Sequence, residues 1–344
     1  MESFKSKFLP PEWYPQSGVM VTWPHKKSDW IDLLDEVTNC FALIANEILK
    51  EEKLLVICSD SDIVSQKIDK SLLKNLILVQ LESNDTWARD HGPVTLFVDG
   101  KPELFDFQFN GWGLKFPAFL DNQLTRQIFD KKLFSKDVSY RNYLDFVFEG
   151  GSFETDGKGT LLTTEECLLS RNRNQKLSKD EIERYLIKVF NISRVLWLSS
   201  GYLAGDDTDS HVDTLARFCN EKSIAFVKCD DPSDEHFAQL NEMENELKSF
   251  RTQEGDPYQL IVLPMADCVK DENGMRLPAT YANFLIINNK VLIPFYSTSK
   301  DEIARANLQK AFPDREVVGI ECSTLIRQHG SLHCVTMQLP IGVI

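Results

Sequence analysis

Hydrophobic and polar positions follow two different periods along this chain. Trp30, Leu33, Leu34, Val37, Phe41, Ile44, Ile48 and Leu49 recur at the spacing of one helical face, and Ser28 or Asp29 stands where a cap would start that helix. The same spacing predicts helices near residues 121–133, 179–189, 236–250 and 300–311. Short apolar runs at residues 54–58, 76–81, 195–198, 260–264 and 317–320 predict strands between them.

A second pattern repeats: a strand, a turn of Gly, Asn or Asp, and another strand. Residues 94–98 and 103–107 flank Asp99-Gly100, and residues 152–155 and 160–164 flank Asp156-Gly157. Residues 215–219 and 223–227 flank Asn220-Glu221, and residues 284–287 and 291–295 flank Asn288-Asn289. The turns begin at 99, 156, 220 and 288, so successive gaps are 57, 64 and 68 residues. A helix and a further strand follow each hairpin, which makes the unit ββαβ. With a segment before residue 90 supplying one more, the chain holds about five copies. Such a unit cannot bury both faces of its small sheet alone, so the repeats must close on one another. The pattern therefore predicts an α/β ring of five units, and hairpins argue against a purely parallel sheet. No Gly/Ser linker or charge block divides the chain, so residues 1–344 read as one domain.

Composition narrows the field. Hydrophobic residues make up 42% and charged residues 26%, which suits a globular protein with a sizeable core. The formal charge of −14 disfavours nucleic acid and anionic membrane as partners and suits a small cationic one. No apolar run is long enough to span a bilayer, and residues 1–13 lack the core of a signal peptide, so a cytoplasmic location is expected. The eight cysteines form no CxxC pair and no zinc spacing, so no zinc site is expected; most read as buried thiols, and any one could be a nucleophile.

Four stretches place polar, glycine and aromatic residues where a core would want aliphatics. Asn84-Asp85-Thr86-Trp87-Ala88-Arg89-Asp90-His91-Gly92-Pro93 follows a strand and by itself reads as a capped loop with an Arg–Asp pair. Glu149-Gly150-Gly151 by itself reads as a turn. In Gly205-Asp206-Asp207-Thr208-Asp209-Ser210-His211-Val212-Asp213, His211 and Asp213 fall on one side of an extended chain. Carboxylates beside His211 would raise its pKa and let it act as an acid; calcium binding by residues 206–213 competes, without the EF-hand glycine or distal glutamate. In Gly330-Ser331-Leu332-His333-Cys334-Val335-Thr336, Cys334 is a nucleophile or an inert core thiol.

In combination, WxRD, EGG, HxD and a late HC, in this order, resemble the agmatine deiminase and bacterial peptidylarginine deiminase family of the guanidine-modifying penteins. Pro11-Glu12-Trp13, Trp23-Pro24-His25, Phe109-Asn110-Gly111-Trp112-Gly113, Ser170-Arg171-Asn172-Arg173-Asn174 and Tyr281-Ala282-Asn283 extend the resemblance over nearly the whole chain. It implies a five-bladed α/β propeller and the conversion of agmatine to N-carbamoylputrescine and ammonia. By resemblance, Asp90 and Asp213 grip the guanidinium, Cys334 attacks it to give a thiouronium, His211 moves protons and Glu149 supports His211. Asp207 falls at a family acidic position, and Trp87 or Trp112 would cover the aliphatic linker. A homodimer is a family-level expectation. The glycine run before the HC pair is short here, Asp207 replaces a commonly longer acid, and Gln16 stands where histidine is common. The rival readings are a free-arginine or peptidylarginine deiminase, an amidino-transfer enzyme, and a non-catalytic propeller serving as a binding scaffold.

Overall fold

The computed structural model describes residues 6–344; residues 1–5, which open the stretch read for a leader, lie outside the described residues. Three of the predicted hairpins open a sheet and then cross through a helix to a parallel third strand. These sheets are Phe153–Thr155, Thr160–Thr164 and Arg194–Leu198; Ala216–Asn220, Ser223–Lys228 and Gln259–Pro264; and Leu285–Ile286, Lys290–Phe295 and Glu316–Glu321. The fourth hairpin, Val94–Val98 with Lys101–Gln108, gains Lys7–Phe8 on one edge and Ser139–Val147 on the other. Its turn places both Asp99 and Gly100 at positive φ, which matches the right-handed twist of the flanking strands.

The fifth unit is assembled from both ends of the chain. Gln16–Thr22, Lys53–Cys58 and Leu76–Gln80 run parallel, and Thr336–Pro340 pairs antiparallel with Gln16–Thr22. Its hairpin partner lies more than 300 residues away, so among the described residues no contiguous fifth hairpin exists to be read before residue 90.

Helix Leu34–Glu51 turns Val37, Phe41, Ile44 and Ile48 into the core, as its apolar spacing requires. Neither Ser28 nor Asp29 caps it. A 3₁₀ turn, Ile31–Leu33, precedes it, and Ser28 Oγ donates to His25 O at 2.7 Å instead. Lys179–Phe190 carries a full capping box between Ser178 and Glu181. Strand Ser139–Val147 escapes the apolar pattern because it is a sheet edge whose first seven residues are exposed or half-buried. Among the described residues no helix is long and apolar enough to cross a membrane. All eight cysteines are free thiols, and Cys268 alone among them is exposed.

Candidate active site

Each of the five sheets is entered through a short segment that carries chemistry. Asp90 precedes Val94–Val98, Glu149 precedes Phe153–Thr155, and His211 and Asp213 precede Ala216–Asn220. Asn283 precedes Leu285–Ile286, and Cys334 precedes Thr336–Pro340. The five-fold repeat thus gathers side chains that lie up to 244 positions apart (334 minus 90) into one place.

Gly151 marks that place. A Cβ on it would stand 2.6 Å from His211 Nδ1 and 3.0 Å from both Asp213 Oδ2 and Asp90 Oδ1. Only a residue without a side chain leaves the three groups room to converge. His211 Nδ1 lies 3.7 Å from Asp90 Oδ1, and His211 Nε2 lies 4.0 Å from Glu149 Oε2. Gly151 N and Trp112 Nε1 each donate to Asp90 at 2.9 Å. Trp112 reaches Asp90 from a left-handed backbone: residues 111–114 all have positive φ, including the non-glycine Trp112 and Leu114. Such strain persists only where surrounding contacts hold it.

Asp90 and Cys334 line a cavity of about 240 Å³, walled by Trp87, Trp112, Phe109 and Phe116. Asp29, Asp85, Asp121 and Asp207 also line it, with Lys27 and His329 as its basic groups. The indoles of Trp87 and Trp112 meet edge-on with centroids 6.2 Å apart. Trp87 Nε1 donates to Asp85 Oδ2 at 3.2 Å, and Asp85 Oδ1 is buried with no partner among the described residues. Both ring nitrogens of His211 and Oδ1 of Asp213 are likewise unpartnered. Buried polar atoms are normally paired, so four orphans at one centre mark a site shaped for a polar guest.

Burial raises the acids of this site and lowers its base. Burial pushes Asp90 up to about 7 against the Trp112 hydrogen bond, and the Glu149 charge adds to the rise. Burial pushes Asp213 well above the usual carboxylate range, and Asp90 adds to it. Burial likewise raises the Cys334 thiol well up, with the charges of Asp213 and Asp90 pushing the same way. Asp207 is raised to about 6 by burial, with His329 opposing. His211 runs contrary to the expected rise: burial holds it well below its ordinary range, and Arg173, Lys115 and His333 add to the depression. Loss of hydration outweighs the neighbouring carboxylates, so His211 rests as a neutral base rather than an acid.

The calcium reading of residues 206–213 fails on its partners. Asp206 accepts from Thr208 and Ser210 and so ties the loop, while Asp209 faces two cations, at 2.6 Å from Lys115 Nζ and 2.6 Å from Arg173 Nη1. Arg173 is the pivot: its Nε donates to both Glu149 oxygens at 2.9 Å, and its Nη2 donates to Thr208 O at 2.9 Å. Asn283 Oδ1 receives the Cys334 amide and thiol, each at 3.3 Å. Glu12 sits in a buried cluster with Arg89, Arg217 and His333. The sequence assigned no role to Arg173, Asn283 or Glu12, although each lies inside a stretch that carried the resemblance.

A ring of five ββαβ sheets with cysteine, histidine and paired carboxylates at its axis is the architecture of a pentein. The family model for the Porphyromonas-type peptidyl-arginine deiminases matches residues 8–340, and the chain belongs to that family. It is 32% identical to the agmatine deiminase of Pseudomonas aeruginosa, over 96% of this chain and 95% of that one. The substrate-bound agmatine deiminase variant from C. jejuni superposes with a TM-score of 0.91 at 36% identity, covering 99% and 98% of the two chains. A Porphyromonas gingivalis protein provisionally named an arginine deiminase superposes with a TM-score of 0.95 at 52% identity, covering 98% and 100%. The chain is therefore a hydrolase of guanidine carbon–nitrogen bonds by family.

Proposed function

We propose that this chain is an agmatine deiminase acting as one catalytic domain. The observation that carries the reading is a cavity lined by Cys334, aromatic rings and five aspartates, Asp29, Asp85, Asp90, Asp121 and Asp207. Agmatine is cationic at both ends. Asp90 and Asp213 bind its guanidinium, and Asp85 Oδ1 and Asp207 are available to its amine. Trp87 and Trp112 flank the aliphatic stretch between and attract cations through their rings.

The guanidinium brings positive charge against Asp90, Asp213 and the Cys334 sulfur. That reverses the field which keeps the thiol protonated. The thiol proton passes to neutral His211, and the sulfur adds to the guanidinium carbon. The imidazolium returns the proton to one amino group, the C–N bond breaks, and ammonia leaves a thiouronium on Cys334. His211 then takes a proton from water as the hydroxyl adds to the same carbon. Collapse breaks the C–S bond as the hydroxyl proton passes to sulfur, N-carbamoylputrescine departs with the thiol restored, and the imidazolium sheds its proton to solvent or to the departing ammonia. Glu149, fixed by Arg173, steadies the imidazolium through both steps. The residues suffice without a metal or organic cofactor.

Free arginine is the second reading. Lys27 at the cavity wall is the observation that favours it, since a carboxylate needs a cation there. Lys27 Nζ is instead paired with Glu82 at 2.9 Å in solvent. Ammonia release from agmatine, arginine and a blocked arginine ester decides between them. Release from agmatine alone, lost in Cys334→Ala by roughly 10⁴-fold or more, is the expected result. Release from arginine alone would overturn the substrate assignment, and silence with all three would favour a binding scaffold.

A further inference from the structure

Of the buried imidazoles the mechanism does not use, His333 is the one next to Cys334. His333 is fully buried beside the nucleophile, and both its ring nitrogens meet carboxylates. Nδ1 lies 2.7 Å from Asp213 Oδ2; Nε2 lies 2.7 Å from Glu12 Oε1 and 3.0 Å from Arg217 Nη2, which also donates to Glu12. Nitrogen and oxygen at 2.7 Å need a proton between them, whereas the longer contact to Arg217 is the one that can stand without a shared proton. A neutral imidazole carries one N–H, so a second proton must reside somewhere in the trio.

We propose that His333 is a positioning residue that exchanges this second proton with Asp213, taking it up when a guanidinium arrives and returning it when the site empties. The inference rests on the guanidine reading above. Geometry fixes which bond holds the mobile proton. Glu12 faces Arg89 Nη1 at 3.1 Å and also pairs with Arg217 Nη2, so it is the ionised acceptor and takes the Nε2 proton. Asp213 forms no ion pair with an arginine; burial outweighs the lowering by the charges of Arg217 and Arg89, so its carboxyl holds its own proton and donates it to Nδ1. The other charged groups at this face are Glu154, which pairs with Arg217 at 2.6 Å, and Asp90. The charge preferences agree: burial raises Asp213, burial with Arg217 and Arg89 lowers His333, and Glu12 is held low by Arg217, His333 and Arg89 despite its burial.

When the guanidinium settles against Asp213, the proton in the Asp213–His333 bond moves from oxygen to nitrogen. Asp213 becomes a carboxylate, His333 becomes an imidazolium donating to both neighbours, and no proton passes to solvent. Without His333 the same proton must be released. Cation binding then carries a penalty that grows with acidity.

The test uses Cys334→Ala, which binds without turnover, and titrates it with agmatine near pH 7 in buffers of different ionisation enthalpy. Cys334→Ala/His333→Asn is expected to release about one more proton per agmatine than Cys334→Ala. Equal release by the two overturns the inference. Nitrogen NMR of histidine-labelled Cys334→Ala reads the same event without altering the network. The two ring nitrogens of His333 should differ in the empty protein and converge on saturation with agmatine; a spectrum that stays neutral overturns the inference. With Cys334 intact, His333→Asn should raise KM by roughly tenfold per pH unit on acidification below the Asp213 pKa, with kcat less affected. Failure of Cys334→Ala to bind either agmatine or arginine would overturn the guanidine reading itself, and the proton exchange with it.

Discussion

A thiol and an imidazole that rest buried and neutral make a weak nucleophile and a weak acid until a cation joins them. Charge therefore enters this site with the substrate. Asp90, raised to about 7 by burial, has to ionise before it grips a guanidinium. For a carboxyl with a raised folded pKa, protonation favours the empty fold at low pH, and that contribution is lost as pH rises through about 7. Two outcomes follow for agmatine: kcat/KM rises between about pH 6 and 8, and its thermal stabilisation of the protein is larger at pH 8 than at pH 5. A pH–rate profile and melts with and without ligand check both. The Arg173–Glu149 pair has no solvent exposure on either side chain. Removing one partner leaves an uncompensated buried charge, so Arg173→Ala should cost on the order of 3–5 kcal/mol in denaturant unfolding. The two partners of that pair were not equally legible. Glu149 stood out beside two glycines, whereas Arg173 lay unassigned in a polar loop. Nothing local in residues 170–174 reveals that its guanidinium points at a carboxylate 24 positions earlier. The resting charge of His211 was hidden for the same reason, since sequence shows its neighbours but not its loss of water.

At the scale of elements, the entry segments do the positioning. Glycines in them serve close approach more than turning. Gly151→Ala would place a methyl against His211, Asp213 and Asp90 together. The expected result is a loss of kcat of about 100-fold or more with the far-ultraviolet dichroism retained, because the sheet behind the segment is untouched. Gly330→Ala would press on the Trp87 ring and should raise KM instead. Helix Leu34–Glu51 and the strands of the four contiguous hairpins were readable from period, but the buried strands Gln16–Thr22 and Thr336–Pro340 were not. The exposed edge Ser139–Val147 was not, and neither was a helical turn as short as Ala88–His91, which breaks the expected loop after residue 81. An edge strand lacks the apolar alternation on which such reading depends.

The whole molecule was legible as a ring of repeats, but not which strand completes the fifth unit. Four hairpins are contiguous; the fifth joins Gln16–Thr22 to Thr336–Pro340, and no local pattern announces a partner at that separation. The pairing covers one side of Gln16–Thr22 and makes Thr336–Pro340 the edge strand of that sheet. A chain ending before residue 336 should show no cooperative melt, because Gln16–Thr22 would lose its partner and the core residues Met337 and Leu339 would be missing. A calorimetric scan of that truncation, set beside the full chain, checks the expectation.

Cys334 lies two residues before strand Thr336–Pro340, so the proposed nucleophile and the strand that pairs with Gln16–Thr22 belong to one short segment. During translation, that segment leaves the ribosome after the other entry segments have been made. A nascent chain with Asp90, Glu149, His211 and Asp213 already synthesised still lacks the thiol proposed to attack a guanidine. On that reading, catalytic competence and the pairing of Gln16–Thr22 arrive together, and a prematurely terminated copy is silent without any separate device to restrain it.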